Sequence, residues 1–411
     1  MQPLKGKRTS MGTQPITRLR SSAPKRAAST SIHQILVSRE FGGAADIAIK
    51  LACQAQQDLG ERQHVWLPGT GRAWNRAAAF GFQLHRYESK SAQSNSMVKA
   101  AWGNTRFALQ LLAAKPGMVH VHDPVTYAAL RHGLRMARVP AIVHVQIDYP
   151  IEDLQWAFRL PPQAVVVCAD FLHQKVLDSL PKTGRRETQV FTVRNAVEVQ
   201  RFVPTDKRKA KRQLGWNPNQ PVVLMLANLA KHKGQATTIR AIAALHRQGV
   251  DVRCSLAGVD RSVDGTYEKF LRALCEVLRV SHLVDFLGFR SDTVELLQGA
   301  DLLLLPSTHE GLPLTVLEAQ ACGVPVLAAP TAGIPEIIRN HVSGRLIDAS
   351  DYQAYAMGIR QLLENRATYD EIAKAAREHC LCEHSWSKLW NQMRQVYASV
   401  HPQTSQSSLD V

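Results

Sequence analysis

Short apolar runs rich in β-branched residues alternate with longer helical patterns along most of the chain, and this alternation constrains the fold more than any other feature. Strands joined by helical crossovers form parallel sheets with helices on both faces. In the first half the predicted strands are Ile32–Ser38, His64–Leu67, Met118–His122, Ala141–Val145, Ala164–Cys168 and Val190–Val193. In the second half they are Val222–Leu226, Arg253–Ala257, Val284–Leu287, Leu302–Leu305, Pro325–Ala328 and Arg345–Ile347. We therefore expect an α/β protein.

The alternation breaks and restarts near residues 200–220, where Pro, Gly, Asn and basic residues cluster. A chain of 411 residues is also too long for one ordinary core, so two domains are expected. We place them at residues 31–205 and 206–385, each a doubly wound, Rossmann-like parallel sheet. In such sheets ligands bind beyond the carboxyl ends of the strands. Two sheets that face each other therefore predict a ligand cleft between the domains.

The strongest functional motif follows the predicted strand Leu302–Leu305. Residues 310–318 read Glu-Gly-Leu-Pro-Leu-Thr-Val-Leu-Glu. Gly311 permits a tight turn and a close approach to a ligand, and Pro313 suits the first turn of a helix. The unpaired amides at the start of that helix would bind an anion such as a diphosphate. Either glutamate alone could merely solvate a loop or complement a helix dipole, but the whole motif indicates a ligand site.

Residues 288–338 resemble the nucleotide-sugar domain of retaining glycosyltransferases of family 4, which have the two-domain GT-B fold. That family has two glutamates with seven residues between them and a Gly-Leu/Phe-Pro turn after the first, as at Glu310 and Glu318. Ala-Cys-Gly-Val-Pro-Val at 321–326 and Gly-Ile-Pro-Glu at 333–336 are also similar to the family. The resemblance is specific in the second domain and looser in the first. It implies that the last helix, Trp386–Val400, crosses back to the first domain.

The resemblance also implies roles for single residues. Glu310 would contact the donor sugar, Lys233 would bind the departing diphosphate, and Gln146 stands where the family usually has a histidine; these are the three candidate catalytic residues. Glu318 is expected at the ribose. The candidate substrate-binding residues are Gly42, Gly43, His122, Asn228, Lys233, Phe289, Arg290, Glu310, Gly311, Leu312, Pro313, Leu314 and Glu318. The reaction implied is front-face attack assisted by the leaving phosphate, so no metal and no cofactor besides the donor substrate are expected.

Two positions depart from the family pattern. Asn228 stands where the family often has an arginine that holds the donor diphosphate, and Lys231 is a nearby substitute. Gln146 can donate and accept hydrogen bonds but cannot carry a proton. If the family histidine only orients a substrate, activity survives this change. If it transfers a proton, activity is compromised.

Several other motifs have weaker meaning. His120 and His122 share one face of a strand, as do His144 and Gln146. No further metal ligands accompany them, so we expect satisfied packing histidines at His120 and His144. His122 and Asp123, at a strand end, would line the cleft. The pair Gly42-Gly43 opens a helix after the first strand, where its amides would approach a ligand, although a tight turn explains it equally well.

Charge and composition bear on compartment and partners. Residues 1–205 hold 27 basic and 13 acidic residues, a net charge of +14, against +2 for the rest. Residues 1–30 contain seven basic residues, no acid and no apolar segment, which predicts a disordered tail, and 401–411 are interpreted as a second polar tail. Seven cysteines without a C-x-x-C pair favour a reducing cytoplasm. Aromatic residues do not interleave the basic tail, so no specific nucleic acid is expected.

The resulting prediction is a retaining hexosyltransferase that moves a sugar from a nucleotide-diphosphate sugar to an acceptor hydroxyl. The expected context is cell-envelope, lipopolysaccharide, exopolysaccharide or glycolipid synthesis, in the cytoplasm or at the inner face of the membrane. The excess positive charge of the first domain predicts an anionic glycan or lipid-linked acceptor or an anionic membrane surface; an even distribution of charge for solubility is the alternative. A nucleotide-sugar epimerase of similar fold and a non-catalytic homologue are the competing functions.

Overall fold

Two parallel sheets, one in each half of the chain, form the framework of the computed structural model, which describes residues 31–40, 42–60, 62–88, 97–182 and 187–400. The predicted tails 1–30 and 401–411 lie outside the described residues. So does Ser96, where the helical pattern Ser96–Ala114 of the sequence predicts the start of a helix. The seven strands of the first sheet are β1 (Ile32–Ile35), β2 (His64–Leu67), β3 (Gln83–Arg86), β4 (Met118–Val121), β5 (Ala141–Val145), β6 (Ala164–Val167) and β7 (Gln189–Thr192). Their order across the sheet is β3-β2-β1-β4-β5-β6-β7, and every pair is parallel.

The second sheet repeats this design with six parallel strands. They are β8 (Val222–Leu226), β9 (Arg253–Ala257), β10 (Val284–Gly288), β11 (Leu302–Leu305), β12 (Val326–Ala328) and β13 (Arg345–Leu346), in the order β10-β9-β8-β11-β12-β13. The four leucines of β11 are all buried because helices cover both faces of a parallel sheet. In both sheets the order reverses beside the first strand, which is where ligands bind in doubly wound folds.

Fifteen α-helices connect and cover the strands in the described part of the chain. The helices of the first half are α1 (Gly43–Leu59), α2 (Arg72–Ala79), α3 (Met97–Ala114), α4 (Pro124–Ala137), α5 (Ile151–Ala157) and α6 (Phe171–Ser179). Those of the second half are α7 (Lys207–Gln213), α8 (Gln235–Arg247), α9 (Thr266–Val277), α10 (Thr293–Gly299), α11 (Leu314–Ala321), α12 (Ile334–Ile337), α13 (Tyr352–Glu364), α14 (Arg366–Glu383) and α15 (Trp386–Val400). None of the described helices is long and apolar enough to cross a bilayer.

Helix α15 packs on the first domain although it ends the described chain. Its residues Leu389, Trp390 and Met393 share one core with Ile32 of β1 and Ile47 of α1. The chain thus passes between the domains twice, after β7 and before α15. The two passages touch each other, because the Val197 amide donates to the His384 carbonyl at 2.9 Å.

Polar contacts from the second domain tie it to the first. The Asn195 side-chain amide donates to the Leu312 carbonyl at 2.7 Å. The Glu336 carboxylate accepts hydrogen bonds from the amides of Asp170 and Phe171, at 2.9 and 3.0 Å, where α6 begins. Those amides have no partner inside their own helix, so Glu336 caps a helix of the other domain.

The backbones of the two domains approach closely at Gly311, which forms an antiparallel bridge with Ile147 just after β5. A Cβ atom added at Gly311 would overlap the Gln146 carbonyl. Gly42, on the other side of the cleft, has extended backbone angles. A Cβ atom added at Gly42 would have no neighbour within 4 Å.

Gly311→Ala is therefore expected to lower the free energy of unfolding by about 1–3 kcal/mol, the usual effect of overpacking. Gly42→Ala is the matched control and should change the stability little. Urea unfolding of both variants measures the difference. Equal stability of the two would show that the domains do not rely on this contact.

Candidate functional site

A cleft of about 710 Å³ lies between the domains at the carboxyl ends of the two sheets. It is lined from the first domain by the start of α1 and by α2, and from the second by loops after β8, β9 and β10 and by α11. Seven of the candidate substrate-binding residues line it: Gly42, Gly43, Asn228, Phe289, Arg290, Leu314 and Glu318.

A smaller cavity of about 260 Å³ adjoins this cleft and shares Gly42, Gly43 and Asn228 with it. His122 reaches this cavity from the end of β4, and Arg261 reaches it from the loop after β9. Arg261 was not among the residues predicted from the sequence. The adjacency of β8 and β9 in the sheet could have indicated it, because Asn228 follows β8 and Arg261 follows β9. Arg261 has no carboxylate partner among the described residues, so a cation lies beside Asn228 where one was expected to be missing.

Lys233 and Glu310 form an ion pair, with the ammonium nitrogen 2.7 Å from a carboxylate oxygen. Lys233 ends a short 3-10 turn after β8, and Glu310 follows β11, which lies next to β8 in the sheet. The Lys233 and Glu310 side chains are 21% and 9% exposed. The pair is thus largely shielded, and the carboxylate holds the ammonium group in one position at the sheet edge.

Glu318 lies in the first turns of α11 and lines the cleft. Burial, and then the negative charge of Asp46, raise the pKa of its carboxyl to about 8. Lys50 acts in the opposite direction on this pKa, but it is engaged by Asp46 at 2.7 Å and by Glu198 at 2.8 Å, so it offers Glu318 little compensation. The carboxyl is therefore protonated near neutral pH while the cleft holds no ligand.

His122 connects Gln146 to the interior of the first sheet. The Gln146 amide lies 3.2 Å from His122 Nδ1, and His122 Nε2 lies 2.7 Å from the side-chain oxygen of Gln34. Burial lowers the pKa of His122 well below its usual value, so the ring is neutral. In that state Gln146 donates to Nδ1 and Nε2 donates to Gln34, which fixes the orientation of Gln146.

The prediction of satisfied packing histidines at His120 and His144 is wrong in one respect. Both are buried, but neither ring nitrogen of His144 has a hydrogen-bond partner among the described residues, and His120 uses only Nδ1, 3.0 Å from the Tyr397 hydroxyl. Together with His122, their ligating atoms all lie within 4.8 Å of one another. Parallel strands in register bring the third imidazole to the pair, which the sequence spacing of one strand alone could not reveal.

Five of the candidate substrate-binding residues line neither the cleft nor the smaller cavity: Lys233, Glu310, Gly311, Leu312 and Pro313. The candidate catalytic residue Gln146 also lines neither of them. Gly311, Leu312 and Pro313 are buried against the first domain, and Pro313 precedes α11 as its N-cap. Asp123 also differs from the prediction: its carboxylate accepts from the Thr126 amide at 2.5 Å and from the Tyr149 hydroxyl, so it caps α4. The turn residues and Asp123 shape the site without facing it.

Phe289 and Arg290 follow β10 and line the cleft from the second domain. The Arg72 guanidinium of the first domain lies 4.5 Å from the centre of the Phe289 ring. Arg290 is held by Asp292 through two hydrogen bonds. An aromatic face 47% exposed beside a fixed arginine suits a planar, hydrogen-bonding ligand group such as a nucleobase.

Comparisons with known proteins bear on the family and the fold of this chain. Residues 206–379 match the family described as glycosyl transferases group 1. The D-inositol 3-phosphate glycosyltransferase of Mycobacterium sp. strain KMS is 34% identical over 194 residues, 47% of this chain and 43% of that protein, so the match spans less than half of that relative. The alpha-maltose-1-phosphate synthase of Mycobacterium tuberculosis is 26% identical over 335 residues, 72% of this chain and 85% of that protein.

Among solved structures, Anabaena HepE in complex with UDP and glucose superposes with a TM-score of 0.76 at 23% identity, over 89% of this chain and 99% of that chain. The likeness confirms the predicted fold class: two doubly wound, Rossmann-like domains that face a cleft, the GT-B architecture.

The raised pKa of Glu318 makes the stability of the ligand-free protein depend on pH. The folded state keeps the proton up to about pH 8, whereas the unfolded chain releases it near 4.5. Folding therefore loses stability as pH rises through this window, since the folded state binds more protons. Urea unfolding at several pH values should show a shallower decline for Glu318→Gln than for the parent. Parallel curves would mean that Glu318 is ionised in the folded protein.

Proposed function

Because residues 206–379 match the glycosyl transferases group 1 family and the chain has the GT-B architecture, we propose that this protein is a retaining glycosyltransferase that moves a sugar from a nucleotide-diphosphate sugar to an acceptor hydroxyl. The single observation that carries the proposal is the Lys233–Glu310 ion pair, which follows the adjacent strands β8 and β11 at the sheet edge where Asn228 and Glu318 line the cleft.

The donor would bind along the second domain. Its base would lie against Phe289 and Arg290, and its ribose hydroxyls would meet Glu318. The diphosphate would lie between the start of α1 at Gly42 and the cations Lys233 and Arg261. HepE, which shares the fold, is described in complex with UDP and glucose, and this supports a nucleotide-sugar donor.

Catalysis would rest on positioning and on stabilising the departing diphosphate as the glycosidic bond breaks. Lys233 and Arg261 would supply positive charge to the leaving group. Glu310, held by Lys233, would contact the sugar. The resemblance implies that the leaving phosphate takes the proton of the acceptor hydroxyl on the same face, which retains the configuration without a metal.

Gln146 fits this reaction as an orienting group. Its amide is fixed by neutral His122, and neither group is suited to carry a proton at neutral pH. A reaction whose proton goes to the leaving phosphate needs no base at this position. Gln146 and Asn228, the two departures from the family pattern, are also the features that would favour a non-catalytic homologue. A measurement of sugar transfer decides between an active enzyme and such a homologue.

The acceptor is proposed to be anionic or presented at an anionic membrane surface, within cell-envelope or glycolipid synthesis on the cytoplasmic side. The support is the net charge of +14 on residues 1–205, of which seven charges belong to residues 1–30. One similar relative is named for a phosphorylated acceptor, inositol 3-phosphate. Lysines and arginines near an anionic bilayer add about 1 kcal/mol each, and salt screens this attraction.

The two glutamates should respond differently to substitution. Thermal-shift screening with a set of nucleotide sugars first identifies the donor. Glu318→Gln should then weaken nucleotide binding, and proton release on binding near neutral pH should disappear, because ribose hydroxyls favour the ionised carboxylate. Glu310→Gln should keep the affinity and lower kcat at least about tenfold. Parental kinetics in both variants would refute the site, and donor binding without sugar transfer would identify a non-catalytic homologue.

An epimerase would convert the donor with no acceptor present, so the same assay without acceptor separates that alternative.

The diphosphate cations provide a further test. Lys233→Ala and Arg261→Ala should each weaken binding of the nucleoside diphosphate about tenfold or more, since each removes a charge-assisted hydrogen bond, and should leave the nucleoside affinity unchanged. Lys231→Ala is the matched control, because Lys231 lies on the same loop but, unlike Lys233, forms no ion pair with Glu310 in the described part of the chain. Calorimetric titration measures all three. An effect at Lys231 with none at Arg261 would restore the substitute suggested by the sequence alone.

A further inference from the structure

A cavity of about 510 Å³ in the first domain is separate from the proposed donor site. It is enclosed by the loop between β1 and α1, the residues before α2, the end of β3 and the outer face of α3. Three arginines line it, one from each of three segments: Arg39, Arg86 and Arg106. Among the described residues that line it, the only acidic one is Glu88.

The positive charge of this cavity is only partly neutralised. Arg106 lies 3.2 Å from Glu88, and both side chains are exposed. The Arg39 guanidinium contacts the Pro68 carbonyl at 3.5 Å, and the Arg86 guanidinium lies 5.5 Å from the centre of the Trp74 ring. Neither Arg39 nor Arg86 has a carboxylate partner in the described ranges. Two guanidinium groups therefore remain available to an anion, and their planar donor pattern matches phosphate oxygens.

Arg39 is held in place by its own surroundings. The Ala73 amide at the start of α2 donates to the Arg39 carbonyl at 2.9 Å. A Cβ atom at Gly69 would come within 2.7 Å of Arg39 Nε, and one at Gly71 would overlap the Arg39 carbonyl. Glycines at both positions thus allow the loop to pack against this arginine, which holds its backbone in place.

The cavity lies within reach of the cleft. Arg39 and Gly42 belong to the same loop, and Gly42 lines both the cleft and the adjoining small cavity. Three residues of extended chain span at most about 11 Å, so the Cα atoms of Arg39 and Gly42 are no farther apart than this. A molecule whose anionic group sits at Arg39 can therefore present a hydroxyl near the donor sugar.

We propose that this cavity binds a phosphate group of the acceptor, with Arg39 and Arg86 as its main ligands. The assignment of the bound molecule as an acceptor rests on the proposed function. The phosphate can belong to a soluble sugar phosphate or to a lipid headgroup. The lipid source has its own support, because Trp102 at the cavity and Leu109 and Leu112 farther along α3 are 71%, 62% and 53% exposed and share the outward face of that helix.

The test uses inorganic phosphate, titrated into the full-length protein by calorimetry. Phosphate should also enter the donor site, so each titration is repeated with Lys233→Ala. In that background the Arg39→Gln/Arg86→Gln variant should lose affinity for phosphate about tenfold or more. Arg39→Lys/Arg86→Lys, which keeps the charge but loses the planar donor pattern, should bind phosphate with an affinity between those of the parent and the glutamine variant. Arg135→Gln, an exposed arginine of α4 outside the cavity, is the matched control and should leave binding unchanged.

Vesicle sedimentation distinguishes the two sources of phosphate. If the ligand is a lipid headgroup, the protein without residues 1–30 should bind phosphatidylcholine vesicles that contain phosphatidylglycerol, at low salt only, and the double glutamine variant should bind less. If the ligand is soluble, the calorimetric difference persists and no vesicle binding occurs. Equal phosphate affinity in the double glutamine variant and its parent would overturn the proposal.

Nucleotide binding by the same variants separates this inference from the proposed function. The double glutamine variant should bind the nucleotide sugar as its parent does, which also shows that it is folded. A parent that binds phosphate through these arginines but binds no nucleotide sugar would refute the glycosyltransferase assignment and leave the anion site standing.

Discussion

The antiparallel bridge between Ile147 and Gly311 is the contact on which the rest of the site depends. The bridge places the loop after β5 of one sheet against the loop after β11 of the other. The carboxyl ends of the two sheets therefore face each other at this contact. Gly311 makes this possible because it has no Cβ to meet the Gln146 carbonyl. The residue therefore acts through the backbone: it sets how closely Gln146 and His122 approach Glu310 and Lys233, and it touches no cleft itself.

Around this contact, burial sets the charge state of each group. Glu318 is kept protonated, His122 is kept neutral, and Lys233 and Glu310 neutralise each other. The groups at the carboxyl ends of the sheets therefore carry little net charge. The cations that can still attract an anion are the arginines at the edges of the site. An anionic substrate would be attracted at the rim and would displace proton and carboxylate partners only on entering. If a diphosphate binds as proposed, this arrangement would couple its binding to changes in protonation.

The sequence predicted the fold class and most elements because central strands of parallel sheets are continuous apolar runs, as at β8 and β11. It missed β3 because Gln83–Arg86 is a polar edge strand with little to bury. The helical pattern Tyr127–Ala137 of the sequence predicts the start of α4 three residues too late, because the cap formed by Asp123 is a side-chain contact that produces no periodicity. The sequence indicated that motif residues after the same strand lie at one sheet edge. The contributions of Arg261 and of the third histidine, His144, could not be predicted without knowing which strands are neighbours in the sheet.

The position of α15 has a consequence for how the chain folds during synthesis. Leu389, Trp390 and Met393 complete a core whose other members include Ile32 and Ile47, more than 340 residues earlier in the chain. The second domain draws its sheet from one uninterrupted stretch, whereas the first cannot close its core until α15 has left the ribosome. Although domains made first usually fold first, here the amino-terminal domain is expected to finish last. Until then its unpacked face on β1 and α1 is exposed, and this incomplete intermediate is the form most open to chaperone binding or aggregation.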